Sequence, residues 1–303
     1  MKQAIAILVF GLWLISSNLA AGNARQTEKN DRLTQQRNLI ICYEIKNYDS
    51  RIRSTVNTIF YDLIRPGDNL IVYSPARVYG FSQKTLSRPK AELCEFLRDK
   101  LKTDSNMASS GHRQAFNELK GLLEELLYGN RGSDTKSLLN QYRQGLANLQ
   151  SQRRINQPLL LQFADTFRRS PGQNHVLVFF QKEMRPIPDS TMMDGFMQDV
   201  DLAFTAREIF LEPTQQESPE KLQAVIDAFR NAGVTLHFAY LQPGVERAPR
   251  RMELHEHSTD MYQFFSRLAQ ETGGISLTTS KAQELMKAFL KRLQPDPDPS
   301  ATR

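Results

Sequence analysis

The chain contains several short, almost wholly apolar runs, and most of them are separated by stretches whose apolar residues recur at helical spacing. A continuous run of five to eight apolar residues is typical of a strand buried on both faces. Ile52, Val56, Ile59 and Leu63 illustrate the helical spacing, which stops at Pro66-Gly67. The strand-like runs are residues 38–45, 69–75, 77–82, 175–181, 234–241 and 275–279.

This order of elements predicts an α/β fold. Strands that alternate with amphipathic helices favour a doubly wound, mostly parallel sheet of about six strands with helices on both faces. The runs at 69–75 and 77–82 follow each other so closely that they predict a hairpin, and hence one antiparallel edge strand. We expect one domain over residues 37–294, with extra helices inserted at about 105–170.

The remaining segments are interpreted from composition and spacing. Residues 25–36 are polar and read as a linker, and the proline-rich residues 295–303 predict a disordered tail. A methionine-rich segment predicts a helix with one core-facing side, because methionine at that spacing usually fills a core. Its apolar residues are Met192, Met193, Phe196, Met197 and Val200.

The first residues have the order of a secretory signal peptide. Lys2 precedes the apolar run 4–15, and small residues follow up to Ala24. The run is shorter than the roughly 20 residues that a membrane span needs. We therefore predict a signal peptide over residues 1–24, with an uncleaved anchor as the alternative. The rest is expected to be periplasmic or extracellular, without stable membrane insertion.

Charge adds little to this picture. The formal net charge is +6, and the basic residues are scattered without an interleaved aromatic stripe. Arg51, Arg53 and the pair Arg153-Arg154 are therefore interpreted as solvated surface, and no nucleic-acid partner is expected. The two cysteines, Cys42 and Cys94, could form a disulfide in an oxidising compartment, or Cys42 could be a small buried hydrophobe.

Five stretches carry a resemblance to a known family: NLIICYEIKNYDS, RPGDNLIVYSPARVYGF, FADTFRRSPGQNHVLVFFQ, AGVTLHFAYL and FFSRLAQETGGISLTTS. Together they resemble a von Willebrand factor type A (VWFA) domain of the exported bacterial kind, over residues 37 to 293. The resemblance implies a protein-binding, adhesion- or scaffold-type function. It also implies a metal-ion-dependent adhesion site, built from a D-x-S-x-S motif after the first strand, a threonine loop and an aspartate after the fourth strand.

The residues at these positions depart from that motif. The first motif falls on Glu44, Lys46 and Tyr48, so a lysine replaces a serine ligand. A register that begins at Asp49 would place Arg51 and Arg53 at the serine positions. The fourth-strand position falls on residues 181–183, and Ser109 or Ser110 could stand for the threonine. We therefore expect a degenerate site without a divalent ion or other cofactor.

Lys46 suggests a replacement for the metal charge, through an ion pair with Glu44 or Glu183. In open α/β sheets, ligands bind at the carboxyl ends of strands where the strand order reverses. If the first strand and the strand at 175–181 are neighbours, one crevice will be lined by Glu44, Lys46, Asn47, Gln181 and Glu183. Partner binding and a plain solvated rim both remain open for these residues.

The most enzyme-like cluster is His255-Glu256-His257. Histidines at i and i+2 of an extended segment can share a metal, with Asp260 or Glu253 as a third ligand. The surrounding residues 250–260 are polar and are interpreted as an exposed loop. His237, within a strand-like run, is interpreted as a core histidine. A non-catalytic domain that binds another protein is the favoured function, and a metal-dependent hydrolase using His255 and His257 is the alternative.

Overall fold

The computed structural model describes residues 36–129, 135–153, 155–211, 219–242, 248, 250–279 and 282–293. The predicted signal peptide, nearly all of the predicted linker and the predicted tail lie outside these residues. Within them, no helix has both the length and the apolar character required to cross a membrane.

The strands form one large sheet and one small one. The strands are β1 Arg37–Glu44, β2 Asn69–Tyr73, β3 Val78–Phe81, β4 Gln173–Gln181, β5 Met184–Pro188, β6 Val234–Leu241, β7 Met252–Glu256 and β8 Ser276–Thr279. The large sheet has the order β3-β2-β1-β4-β6-β8, and only β3 is antiparallel to its neighbour. The predicted mostly parallel six-stranded sheet with one antiparallel edge strand is confirmed.

Eleven α-helices lie within the described residues. They are α1 Ser50–Thr58, α2 Gln83–Leu86, α3 Lys90–Ala108, α4 Ser110–Tyr128, α5 Thr135–Ser151, α6 Gln157–Arg168, α7 Ser190–Met197, α8 Val200–Phe210, α9 Pro219–Asn231, α10 Thr259–Glu271 and α11 Ala282–Leu293. Side-chain caps start several of them: the Asp49 carboxylate, for example, accepts the backbone N–H groups of Arg51 and Ile52 at 2.9 and 3.2 Å. A π-helical turn, Ile59–Leu63, continues α1.

Helices cover both faces of the large sheet because its strands alternate apolar side chains to either side. On one face, Ile41, Tyr43 and Phe179 pack with α1, α3 and α11. On the other, Ile40 and Phe238 pack with α6, α9 and α10. His237 is fully buried on the first face, where its ring lies edge-on to Phe289, as expected for a core histidine.

A third apolar cluster lies away from the large sheet. Here α4, α5, α7 and α8 pack around the small antiparallel sheet of β5 and β7, through Ile187 and Met252. The sequence-based interpretation of residues 250–260 as an exposed loop is wrong. Met252–Glu256 is a strand and α10 begins at Thr259, and between them His257 and Ser258 are buried.

The methionine-rich segment also differs from expectation. It is two helices, because Asp199 caps the start of α8 and interrupts the predicted single helix. Phe196 is buried, but Met197 and Val200 are exposed rather than in the core.

The two cysteines are free thiols in this structure. Cys42 packs on the face covered by α6, α9 and α10, whereas Cys94, on α3, belongs to the core of the opposite face. The sheet therefore separates them. Burial raises the pKa of both thiols.

Gly274 lies where the backbone before β8 passes close to the backbone of β6. A Cβ at this position would lie 1.7 Å from the Leu236 carbonyl oxygen and 2.7 Å from its carbon. Because the contact is with backbone, Gly274→Ala can be accommodated only by displacing β6. We expect a loss of about 3 kcal/mol in the free energy of unfolding, measured by urea denaturation.

Gly121, on an exposed part of α4, is the matched control. A Cβ there has no heavy atom within 4 Å. Gly121→Ala should therefore raise the free energy of unfolding by roughly 0.5–1 kcal/mol, because alanine favours a helix. Equal effects of the two substitutions would contradict the described packing of the Gly274 turn.

Candidate functional site

The candidate site lies at the carboxyl ends of β1 and β4, where the strand order reverses. From β1 the chain proceeds to β2 on one side and later returns to β4 on the other. The Gln181 side-chain oxygen, at the end of β4, accepts the backbone N–H groups of Lys46 and Asn47, both at 2.8 Å. This amide fixes the loop after β1 against β4, so the two strand ends form one crevice.

A buried carboxylate stands at the centre of the site. The Glu183 side chain is only 1% exposed, and Lys46 Nζ lies 3.1 Å from its Oε1. Arg153 Nη1 lies 3.6 Å from the other oxygen, Oε2. Of the two partners expected for Lys46, Glu183 therefore makes the ion pair.

Arg153 extends this pair into a network. Its Nη2 lies 3.2 Å from Asp260 Oδ1, and its Nη1 donates to the His257 carbonyl oxygen. The Arg153 side chain is 3% exposed. Its interpretation as solvated surface is therefore wrong: the guanidinium links the end of α5 to Glu183, between β4 and β5, and to Asp260 at the start of α10.

Hydrogen bonds hold the surrounding backbone. The Glu183 N–H donates to Ser258 Oγ at 2.9 Å, and the His257 N–H donates to the Glu183 carbonyl at 2.8 Å. The Tyr240 hydroxyl lies 2.7 Å from Ser258 Oγ and donates to Glu256 at 2.6 Å. These bonds join β4, β6 and the end of β7, so the position of Glu183 depends on all three.

The Lys46 and Glu183 charges stabilise each other and so offset the cost of removing them from water. Burial alone would raise the pKa of Glu183, but Lys46, His112 and Arg153 outweigh it and hold that pKa below its usual range. Burial alone would lower the pKa of Lys46, but Glu183 and Glu44 raise it above its usual range. Both groups are therefore ionised at neutral pH.

Glu44 behaves differently. Its carboxyl is half-buried, and burial raises its pKa to about 7, with Lys46 opposing and Glu183 adding to the rise. The carboxylate makes no hydrogen bond or ion pair with any other described residue. Glu44 is thus a carboxyl group that titrates near neutrality at the mouth of the crevice.

Two histidines lie close enough to Glu183 and Arg153 to sense their charges. Burial lowers the pKa of His112, in the first turn of α4, to about 4, and that of His257 to about 3. Nε2 of His112 and both ring nitrogens of His257 are buried and make no hydrogen bond within the described chain. Ser109, one turn before His112, is also buried, and Ser110 begins α4.

The donor set does not fit the divalent cation that the VWFA resemblance implies. Such ions take oxygen ligands from several sides, whereas here an ammonium lies against Glu183. Across the parts of the chain that the structure describes, no group of three or more His, Cys, Asp or Glu side chains is arranged to hold a metal. His255 is exposed and pairs with Glu253 at 3.3 Å, whereas His257 is buried beneath Arg153.

The sequence analysis placed Glu44, Lys46, Asn47, Gln181 and Glu183 at one crevice, and the structure brings these residues together. It did not identify Arg153, His112 or Ser258 as part of the same site. A basic pair after a helix and a histidine in a polar helix carry no periodic signal. Asp260 was named only as a metal ligand, and its partner here is Arg153.

No protein-family model matches the chain, and no curated protein sequence matches it.

We predict that Lys46→Met destabilises the fold by about 1–3 kcal/mol, measured by urea denaturation. The substitution keeps the length of the aliphatic chain but leaves the buried Glu183 carboxylate with Arg153 as its nearest cation. Adding Glu183→Gln should restore part of the loss, because both members of the pair are then neutral. Strictly additive losses would show that the pair has no coupling. Lys182→Met, which breaks the more exposed pair with Glu256, is the control and should cost less.

We also predict acid lability. His237 and His257 are buried with pKa values lowered to about 3, against about 6.5 in an unfolded chain. Protonation therefore favours the unfolded state, and stability falls as the pH drops below about 6.5. The loss should reach about 2 kcal/mol for each histidine near about pH 5. Glu44 acts in the opposite direction, since its raised pKa favours the folded state as the pH falls below about 7.

The measurement is the free energy of unfolding by urea as a function of pH. His237→Phe should flatten its slope between about pH 6.5 and pH 4. An unaltered slope in His237→Phe would contradict burial of a neutral His237.

Proposed function

We propose that this chain is an exported, non-catalytic domain that binds another protein through the loops at the carboxyl ends of β1 and β4. The observation that carries the proposal is the coincidence of two features. The strand order reverses between these strands, which is where open α/β sheets bind ligands, and a network of charges is buried at the same point. A cleft that holds titratable groups with strongly shifted pKa values is a candidate functional site.

A VWFA-related domain with a degenerate adhesion site is the class of protein that we propose. One observation supports it: a hairpin that includes the second strand forms the antiparallel edge of the mostly parallel sheet. In this proposal the Lys46 ammonium supplies the positive charge that a divalent ion would otherwise bring to the crevice. Export, to the periplasm or the extracellular space, rests on the pattern of residues 1–24 alone.

The hydrolase alternative has no observation in its favour. The His255 and His257 side chains differ in exposure and in partners, and the ion pairs of the crevice join Lys46, Glu183, Arg153 and Asp260 to one another. Binding requires only that the rim be accessible. Asn47, whose backbone is fixed by Gln181, is exposed at that rim.

Site-specific photo-crosslinking from position 47 tests the proposal. The full-length chain, carrying a benzoyl-phenylalanine at Asn47, is expressed in its source cells and irradiated. We expect a discrete crosslinked protein that is at least about tenfold weaker when Lys46→Glu is added, because that change reverses one charge of the network.

The matched control carries the crosslinker at Arg169, an exposed residue just before β4, at the amino ends of the strands and so away from the crevice. The proposal predicts no such product from this position. Equal crosslinking from positions 47 and 169, or crosslinking from position 47 that Lys46→Glu leaves unchanged, would refute a partner site at the crevice. The free energy of unfolding of each variant is measured in parallel.

A further inference from the structure

One side of α8 carries an exposed stripe that is mostly apolar. Val200 is 72% exposed, Phe204 75% and Leu211 56%, and Arg207 is exposed between them. These four positions follow one another by four, three and four residues, so they lie along one side of the helix. Single exposed apolar residues are common on proteins, but a contiguous set indicates a surface that contacts another molecule.

The other sides of α8 are fixed to the rest of the fold. The residues of α8 that are buried in the third apolar cluster are Ala206, Ile209 and Phe210. Two acidic residues beside the stripe pair with α5: Asp201 Oδ2 lies 3.2 Å from Lys136 Nζ, and Glu208 Oε2 lies 2.7 Å from Arg143 Nη2. The helix is therefore held in place, and the stripe is its outward surface.

Arg207 is the cation of this stripe, and it has no partner among the described residues. Its guanidinium makes no ion pair and no side-chain hydrogen bond there, and the neighbouring Glu208 is already held by α5. A membrane surface suits the stripe poorly, because exposed carboxylates flank it at positions 194, 199, 201 and 208. An unpaired guanidinium beside apolar residues is instead suited to the face of an aromatic ring.

We propose that α8 pairs with α8 of a second copy of this chain, antiparallel about a twofold axis. The order of the stripe selects this occupant, since it is apolar, aromatic, cationic and apolar along the chain. In the antiparallel pair, Val200 faces Leu211 of the partner subunit, and Phe204 faces Arg207 of the partner subunit. Each contact then occurs twice, as an interface between two identical surfaces requires.

The proposed pairing is complementary in charge as well as in shape. Each Arg207 guanidinium lies against the electron-rich face of a phenylalanine ring, and no two charges of the stripe face each other. The alternation of four- and three-residue steps is also the spacing of helices that pack side by side at a small angle. The stripe shares no residue with the crevice, so this inference does not depend on the proposed function.

The size of the stripe sets the expected strength of the dimer. Three apolar side chains from each copy bury less than the roughly 1,200–2,000 Å² of a stable interface. We therefore expect a dissociation constant on the order of 10–100 μM, which corresponds to a reversible dimer at high local concentration.

Sedimentation equilibrium of the purified protein, from about 5 to 500 μM, tests the pairing. We expect a monomer–dimer equilibrium that Phe204→Ser weakens by at least about tenfold, because this change removes both ring contacts. Arg207→Glu should weaken the dimer to a similar degree, because a carboxylate is repelled by the face of the ring. Met107→Ser, which removes a 54% exposed apolar residue from α3, is the control and should leave the dissociation constant unchanged.

Disulfide crosslinking tests the antiparallel register. Val200→Cys and Leu211→Cys are prepared separately, mixed and oxidised, with the unsubstituted protein as the control for its two native thiols. We expect the link between positions 200 and 211 to exceed either link between like positions by at least about fivefold, because only facing residues come close enough to form a disulfide.

A protein that stays monomeric up to about 500 μM would overturn the inference, whatever other molecule the stripe contacts. A dimer that Phe204→Ser and Arg207→Glu both leave intact would also overturn it, as would linkage mainly between two copies of position 200. Both residues are exposed, so the two variants should keep the free energy of unfolding of the unsubstituted protein, which urea denaturation checks.

Discussion

The organisation of the site depends on the compensation of one buried charge. Glu183 sits at the junction of β4 and β5 with almost no exposure, and it remains ionised because Lys46 and Arg153 each lie near one of its two carboxylate oxygens. Those two cations come from different layers: one follows the first strand of the sheet, the other follows α5. The loops that border the crevice are therefore held in place by ion pairs that join these two layers at a carboxylate that is only 1% exposed.

Burial shifts the pKa values of several groups around this charge. His112 and His257 remain neutral next to an ionised pair, because burial lowers the pKa of both. Burial raises the pKa of Glu44 instead, so that this carboxyl gains or loses a proton near neutral pH. Desolvation dominates each of these shifts, and nearby charges set only its size. The crevice thus contains groups that differ in how readily they change charge, and Glu44 is the one that does so under physiological conditions.

The sheet and the crevice residues could be predicted from sequence because apolar runs and strand-end positions are local signals. Two other features could not. β5 contains Pro186 and Pro188, which argue against a strand, yet a two-stranded ribbon tolerates proline because each strand has a free edge. Arg153 follows a helix as part of a basic pair, and only its contacts with Glu183 and Asp260, which are distant in sequence, make its burial tolerable.

The ribbon of β5 and β7 has a consequence for how separable the accessory helices are. It packs on one side against α4 and α5 and on the other joins the large sheet, at Glu183 and next to His257. Arg153, which leaves α5, is inserted into the same junction. The helices between residues 105 and 170 are thus not a detachable module. Removing them would take away Arg153, which would leave Glu183 with Lys46 as its only ion-pair partner among the described residues and Asp260 with none.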